Sequence, residues 1–275
     1  MGSPEAPLYP DHPLDPSTPN SPGPVYRVGP RHLAGDDGRP YDVVADTLTD
    51  LGWRGLTLVR GRREPREASE DWQVVRSTVL HIAPDALRWA QWLLPDEPFH
   101  LGGLPIAWQI SARAHPDGLA GWSAYFTPEV PGEVLADFLT ALDAREHPTV
   151  PLADPESVLG AVTAQGWLRD IDRPGAGAMD PTFTGHLHLG GVPPLIQDTD
   201  PRTLLSEAVE DGPPGWQAWA EPTPGEGYLW AASFSSGVPH DLVAAFAISL
   251  ASTAPLLRRV LPDSTRDRLL RPPTD

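Results

Sequence analysis

His186 and His188 are the residues whose type and spacing come nearest to a chemistry. Two apart on a strand, both imidazoles project to one face, as paired metal ligands must. A cupin-type site adds a Glu four or five residues on, but Val192 and Pro193 lie in that stretch and no second ligand motif follows. Aligning the two halves of the chain brings His81 within one residue of the place of His188, which marks these histidines as framework strand residues. Cys and Lys are both absent. That removes thiolate nucleophiles, Cys-ligated zinc, disulfides, Schiff bases and the phosphate-loop lysine. No Gly-x-Ser-x-Gly elbow, Gly-rich phosphate loop or spaced carboxylate pair with a base occurs. The expectation is a protein that is not an enzyme and needs no cofactor, with His186 and His188 the sole metal candidates.

Binding chemistry has more candidates. Arg60, Arg62, Arg63 and Arg66, interrupted by Glu64, form the densest cationic cluster and read as a loop, either solvated or facing a phosphate or an acidic partner. Arg258, Arg259, Arg266, Arg268 and Arg271 form a second group beside Asp263 and Asp267 on the C-terminal tail. Trp219 falls between apolar positions 218 and 220, so the strand period turns it outward with Gln217 and Glu221; with Trp89 it is a candidate interface anchor. All 20 basic residues are Arg against 37 acids, a net charge of −17, which repels a polyanion at long range. A protein partner is therefore expected. Nucleic acid is the alternative, with Arg113 and the Arg60 to Arg66 cluster reaching phosphates. No run approaches 18 apolar residues and residues 1–9 lack a leader pattern, so no membrane partner and a cytoplasmic location are expected.

The elements that must carry these residues are duplicated. Trp108 to Leu142 aligns without a gap on Trp216 to Leu250 at an offset of 108, with 12 of 35 positions identical. Trp108, Ile110 and Ala112, then Trp122, Ala124 and Phe126, alternate with polar residues, which is the pattern of an antiparallel hairpin with one apolar face; Trp216, Ala218, Ala220, Trp230, Ala232 and Phe234 repeat it. Each hairpin runs into a helix opened by Pro131 with Glu133, or Pro239 with Asp241, the Pro suiting the first helical position. Upstream, a helix over about 41–51 stopped by Gly52 and Trp53 matches one capped by Asp154 with Pro155 and stopped by Gly166 and Trp167, at an offset of 114. Further strands are expected at 25–28, 56–60, 72–82 and 87–94. Repeat two must lose about six residues, and the Arg60 to Arg66 segment is where they are lost. Pro4, Pro7, Pro10, Pro13, Pro16, Pro19 and Pro22 keep the period of a polyproline II helix, either as a spacer or as a docking peptide for an aromatic-lined groove.

This order of elements, with Trp-Gln-Ile-Ser-Ala at 108–112, Trp-Ser-Ala-Tyr-Phe at 122–126, Val-Pro-x-Glu at 130–133 and Ala-Pro-Asp-Ala at 83–86, resembles the SPDY domain family of unknown function. The resemblance implies an actinobacterial chain with two copies of the domain, over about residues 25–258, and it brings no activity. The family's Ser-Pro-Asp-Tyr/Gly turn has Ala83 for Ser here, and Gly190, Gly191 and Val192 stand near its place in the second copy. By element order alone the chain is also similar to saddle-like duplicated domains of the TATA-binding type. The expected fold class is α+β: two tandem repeats, each a strand, a helix, a meander of about four antiparallel strands and a closing helix. Helices on one sheet face and pseudo-two-fold pairing complete it. The expected organisation is a disordered proline arm at 1–24, repeats at 25–148 and 149–258, and an Arg-containing tail at 259–275.

Overall fold

The computed structural model describes residues 25–63, 73–93, 100–190, 215–223 and 225–269, with the backbone alone at 60–63 and 73–77. The proline arm, Arg66, Trp72 and Arg271 lie outside the described residues.

The described residues combine four α-helices with a large antiparallel sheet. It opens with β1 (Tyr26–Val28), a single 3-10 turn (Arg31–Leu33), α1 (Pro40–Asp50), then β2 (Arg54–Arg63), β3 (Gln73–Ile82) and β4 (Arg88–Trp92). A two-stranded excursion, β5 (His100–Leu101) with β6 (Leu104–Pro105), precedes β7 (Trp108–Ala112), β8 (Trp122–Phe126) and α2 (Gly132–Asp143). There follow α3 (Pro155–Ala164), β9 (Leu168–Arg169), β10 (Gly177–Met179), β11 (Gly185–Leu189), β12 (Trp216–Ala220), β13 (Trp230–Phe234), α4 (His240–Ala251) and β14 (Leu256–Arg258). Ten strands form one sheet in the order β2-β3-β4-β7-β8-β13-β12-β11-β10-β9. Within it Trp108 lies opposite Phe126, and Trp216 opposite Phe234.

The helix ends are local consequences of sequence. Gly52 and Gly166 adopt φ of +79° and +91°, the left-handed region that spares glycine a Cβ clash. In the first, Gly52 N donates to Thr49 O and Trp53 N to Leu48 O; in the second, Gly166 N donates to Thr163 O and Trp167 N to Val162 O. Both are Schellman stops. Asp154 accepts from Ser157 N at 2.9 Å and caps α3. Pro131 and Pro239, however, are the N-cap residues of α2 and α4, one place before the expected first helical position. Their extended ψ of 125° and 132° sets the entry angle, and the acids remain in the first turn.

The strand expected at 25–28 is present, and the loop expected at Arg60 to Arg66 needs correction. β1 does not join the large sheet; it pairs with β14, Tyr26 opposite Arg258, because the N-terminal segment and the chain's end share a small core of Val28, Leu33, Ala34, Leu256, Leu261 and Leu269. Arg60, Arg62 and Arg63 are strand rather than loop: β2 continues to Arg63, which pairs with Gln73. β2 and β3 thus pair over ten residues, while β9 has two.

The principal core joins the Trp/Ala/Phe face of the sheet to all four helices. At its centre β8 pairs with β13, Ala232 opposite Phe126 and Phe234 opposite Ala124. Phe126, Phe138, Phe234 and Phe246 meet there with centroids 5.2 to 5.9 Å apart, mostly edge to face. Phe126 and Phe234 are fully buried, so Phe126→Ala and Phe234→Ala should each cost about 3 to 5 kcal/mol. A denaturant titration reads this; a loss below about 1 kcal/mol at either position would remove it from the core.

Candidate binding surface on the helix-free face

Strand alternation that sends Trp108, Ala112, Trp230 and Phe234 under the helices sends their neighbours to the opposite face, where no described helix packs. From β2 to β11 this face carries Leu56, Leu80, Trp89, Ser111, Tyr125, Ser233, Trp219 and His186 among others. Its centre is polar and bonds in part to itself: Ser111 Oγ lies 2.8 Å from Ser123 Oγ, and Thr127 Oγ1 accepts from Ala231 N at 2.9 Å.

Trp219 lies on this face, as its period requires, but it is not exposed. It retains 9 % of its surface, in a cluster with Leu93, Leu101, Ile106 and Ala231. The excursion around β5 roofs it, a tertiary contact that strand period cannot foretell. His186 and His188 flank the indole, stacked at 5.0 and 5.2 Å, and Tyr228 meets its edge at 6.3 Å. Burial pushes both imidazoles below their ordinary pKa; Phe183 O and Glu221 oppose it at His186, and Asp170 at His188. His188 Nε2 lies 4.0 Å from Asp170 Oδ2. Among the described residues no group of three or more His, Asp or Glu is placed to hold a metal ion. His81 is not the counterpart of His188. It sits in β3 opposite Ala90, with Nε2 3.4 Å from the Tyr41 hydroxyl, whereas His188 sits in β11 opposite Gln217.

The Ala-Pro-Asp-Ala turn is a device for orienting an arginine. Asp85 accepts from Leu87 N at 2.9 Å and from Arg88 Nη2 at 2.7 Å, while Ala86 takes φ of +57°. Buried Arg88 then donates to the carbonyls of Leu142, Asp143 and Arg145 at 2.7 to 2.8 Å, closing the C-terminus of α2. In the second half the turn with the same bonds is Asp180-Pro181-Thr182-Phe183, not the neighbourhood of Gly190. Phe183 has φ of +59°, and Asp180 N bonds Gly185 O as Ala83 N bonds Arg88 O. Only the proline is shared, so residue identity concealed the match. Gly185 stands where Arg88 would be, and a Cβ there would meet the His32 ring at 2.9 Å.

At the other end of the face, Trp89 lies beneath the Arg113 guanidinium, 5.4 Å from Cζ to ring centroid. Arg113 Nε donates to Ala86 O at 3.0 Å and Nη1 to Gly118 O at 3.4 Å. With Leu80, Ile82 and Ala86 they line an open cleft of about 200 Å³. Alongside, Leu56 opposite Leu80 and Leu58 opposite Thr78 remain 49 % and 39 % exposed. A second cleft of about 270 Å³ lies between Tyr228, Glu226, Thr223 and Ser264. The structure thus brings Trp89 and Arg113 together and places Trp219 with His186 and His188 elsewhere on the same face.

Two segments of the chain, 82–149 and 196–256, match the model of SPDY, Domain of unknown function (DUF317). The chain is thus similar to SPDY over these two segments. The first segment begins at the Ala83 turn, and both end a few residues past α2 and α4. No curated protein and no solved structure matches the chain significantly. Among the described residues no helix is long and apolar enough to cross a membrane.

Two predictions follow from burial here. Trp219→Ala should destabilise the fold by about 3 to 5 kcal/mol, the range for a buried aromatic, and lower Tm; an unchanged Tm would return Trp219 to the surface. His32 is buried at 2 % exposure, edge-on to Trp167 and 3.0 Å from Thr184 Oγ1, and burial lowers its pKa to about 4 although Asp180 opposes this. Unfolded, it takes a proton near 6.5, so its contribution is whole above that pH and lost as pH falls toward 4, by roughly 3 kcal/mol at most. Asp36, raised by burial to about 6 from 3.8, has the opposite sign and loses its contribution as pH rises through that window. On going from pH 7 to pH 4.5 the denaturant midpoint of the wild type should therefore fall relative to that of His32→Gln, in which Asp36 still titrates; an identical shift in the two proteins would show that His32 titrates freely.

Proposed function

We propose that this chain is a non-catalytic binding protein that recognises a protein partner through the helix-free face, its halves being sister units paired about a pseudo-two-fold axis between β8 and β13. The observation that carries the reading is the apolar strip of Leu56, Leu58, Leu80, Ile82 and Trp89 left uncovered at the outer strands, beside the cations Arg54 and Arg113. Exposed leucines beside an aromatic and an arginine have the composition of interface anchors rather than of a solvated sheet. The imidazoles available for chemistry are stacked on Trp219 and kept neutral, which suits a framework role. The pairing is supported by the strand order running outward from β8 and β13 and by the matched Schellman stops.

The test uses Leu56→Glu and Leu58→Glu in the full chain. Both should leave Tm nearly unchanged and abolish capture of the partner, and capture by the wild type should change little as salt rises. DNA binding that weakens steeply with salt would instead place nucleic acid on this face, and retained capture in both variants would remove the face from recognition.

A further inference from the structure

The Trp89/Arg113 cleft has an occupant within the chain itself. Its walls are an indole, three aliphatic side chains and a guanidinium, and its volume of about 200 Å³ suits one or two side chains rather than a folded surface. Aromatic-lined grooves of this kind receive polyproline II segments, whose rings pack on the aromatic face with little loss of chain entropy. Arg113 makes two hydrogen bonds, both to backbone carbonyls, and no ion pair forms at it among the described residues. Its fork of five N–H groups is therefore left with capacity for a carboxylate. Arg54, exposed on the same face opposite Ile82, adds positive charge. In a chain of net charge −17 this is a local reversal of sign.

Residues 1–24 carry the complement. They hold a proline at every third position from Pro4 to Pro22, the acids Glu5, Asp11 and Asp15, and no Arg. Tyr9 is their one aromatic, and it is followed at once by Pro10 and Asp11. Reach permits the contact. The arm leads into β1, where Tyr26 lies opposite Arg258, and His32, six residues on, packs on Gly185 of β11. From β11 to β4 is five strand steps, about 24 Å at ~4.8 Å per step, and Trp89 lies about 17 Å further along the strand direction than Gly185, at ~3.3 Å per residue. The 17 residues from Tyr9 to Tyr26 span about 53 Å in polyproline II, enough to cross those strands and round the sheet to its other face.

We propose that Tyr9-Pro10-Asp11 of the chain's own arm docks in this cleft, the rings against Trp89, Leu80 and Ile82 and the Asp11 carboxylate on Arg113, so that any partner of this end of the sheet competes with the arm. The inference does not depend on the partner proposed above. The experiment is photocrosslinking of the full chain carrying Tyr9→p-benzoylphenylalanine, followed by peptide mapping. Crosslinks should fall within residues 80–89 or at 113 of the same molecule, in a monomer band. Their yield should drop about tenfold with Arg113→Glu, the loss of one charge-assisted contact, and recover on adding Asp11→Arg. Arg113 is half-buried at the surface, and circular dichroism of each variant establishes that it folds; recovery in the charge-swapped pair excludes simple misfolding. Crosslinks scattered over the surface, a yield unaffected by Arg113→Glu, or crosslinks solely between two copies would each overturn the proposal. Failure of the leucine variants to affect partner capture would leave this result untouched, so the two readings fail separately.

Discussion

The antiparallel pairing of β8 with β13 is the contact on which the rest of the molecule depends. It makes one ten-stranded sheet from two shorter ones and brings Phe126 and Phe234 within 5.5 Å of each other beneath Phe138 of α2 and Phe246 of α4. Without it each half would expose a sheet edge and one side of its aromatic cluster, a liability for an isolated antiparallel sheet. The alanines beside the pair, Ala124 and Ala232, are small enough for the rings to interdigitate across the joint. Because the helices of both halves cover the same side, everything the sheet offers to another molecule is on the opposite side.

Buried arginines then tie the helix layer to the sheet and to the chain ends. Arg88 closes the C-terminus of α2, and Arg145, 9 % exposed, bonds the Val150 carbonyl and pairs with Asp241 in the first turn of α4. Arg258, 2 % exposed, grips both oxygens of Glu133 at 2.6 and 2.8 Å and the Gly35 carbonyl at 2.9 and 3.0 Å. A planar guanidinium with five donors can satisfy several carbonyls at once, which a lysine ammonium on a flexible stem does less well. A buried cation so fully bonded adds uniqueness to the arrangement more surely than stability. Arg258 and Leu269, read from sequence as part of a charged tail, are in fact packed against the N-terminal segment.

The helix-free face is uneven, and that unevenness leaves apolar surface open at one end. Its middle bonds to itself through serines and threonines, and Trp219 is roofed by Leu101 and Ile106. At β2 to β4 nothing described covers Leu56, Leu58 and Trp89, and the Arg113 guanidinium stands over the indole. This combination of apolar surface and a cation in an acidic molecule is what motivates the proposed preference for a protein segment over a polyanion, whose approach the net charge resists.

What the sequence by itself determined is whatever depends on neighbours along the chain. The period of two across Trp108 to Ala112 and Trp122 to Phe126 assigned the buried face, because side chains alternate whatever the strand later pairs with. Gly52 and Gly166 marked helix ends, because the left-handed turn is a local requirement, and Asp154 announced its cap. The likeness between the two halves was legible only where apolar identity persisted, so the Asp180 turn, which keeps bonds rather than residues, was not matched to the Ala83 turn and His81 was set beside His188. Tertiary structure decided the rest. Period placed Trp219 on the outer face, but whether that face is wet depends on the β5 excursion, which comes from a different part of the chain. The union of β1 with β14, the burial of Arg258, and the meeting of Trp89 with Arg113 across strands more than twenty residues apart are likewise pairings over distance, for which local spacing carries no signal.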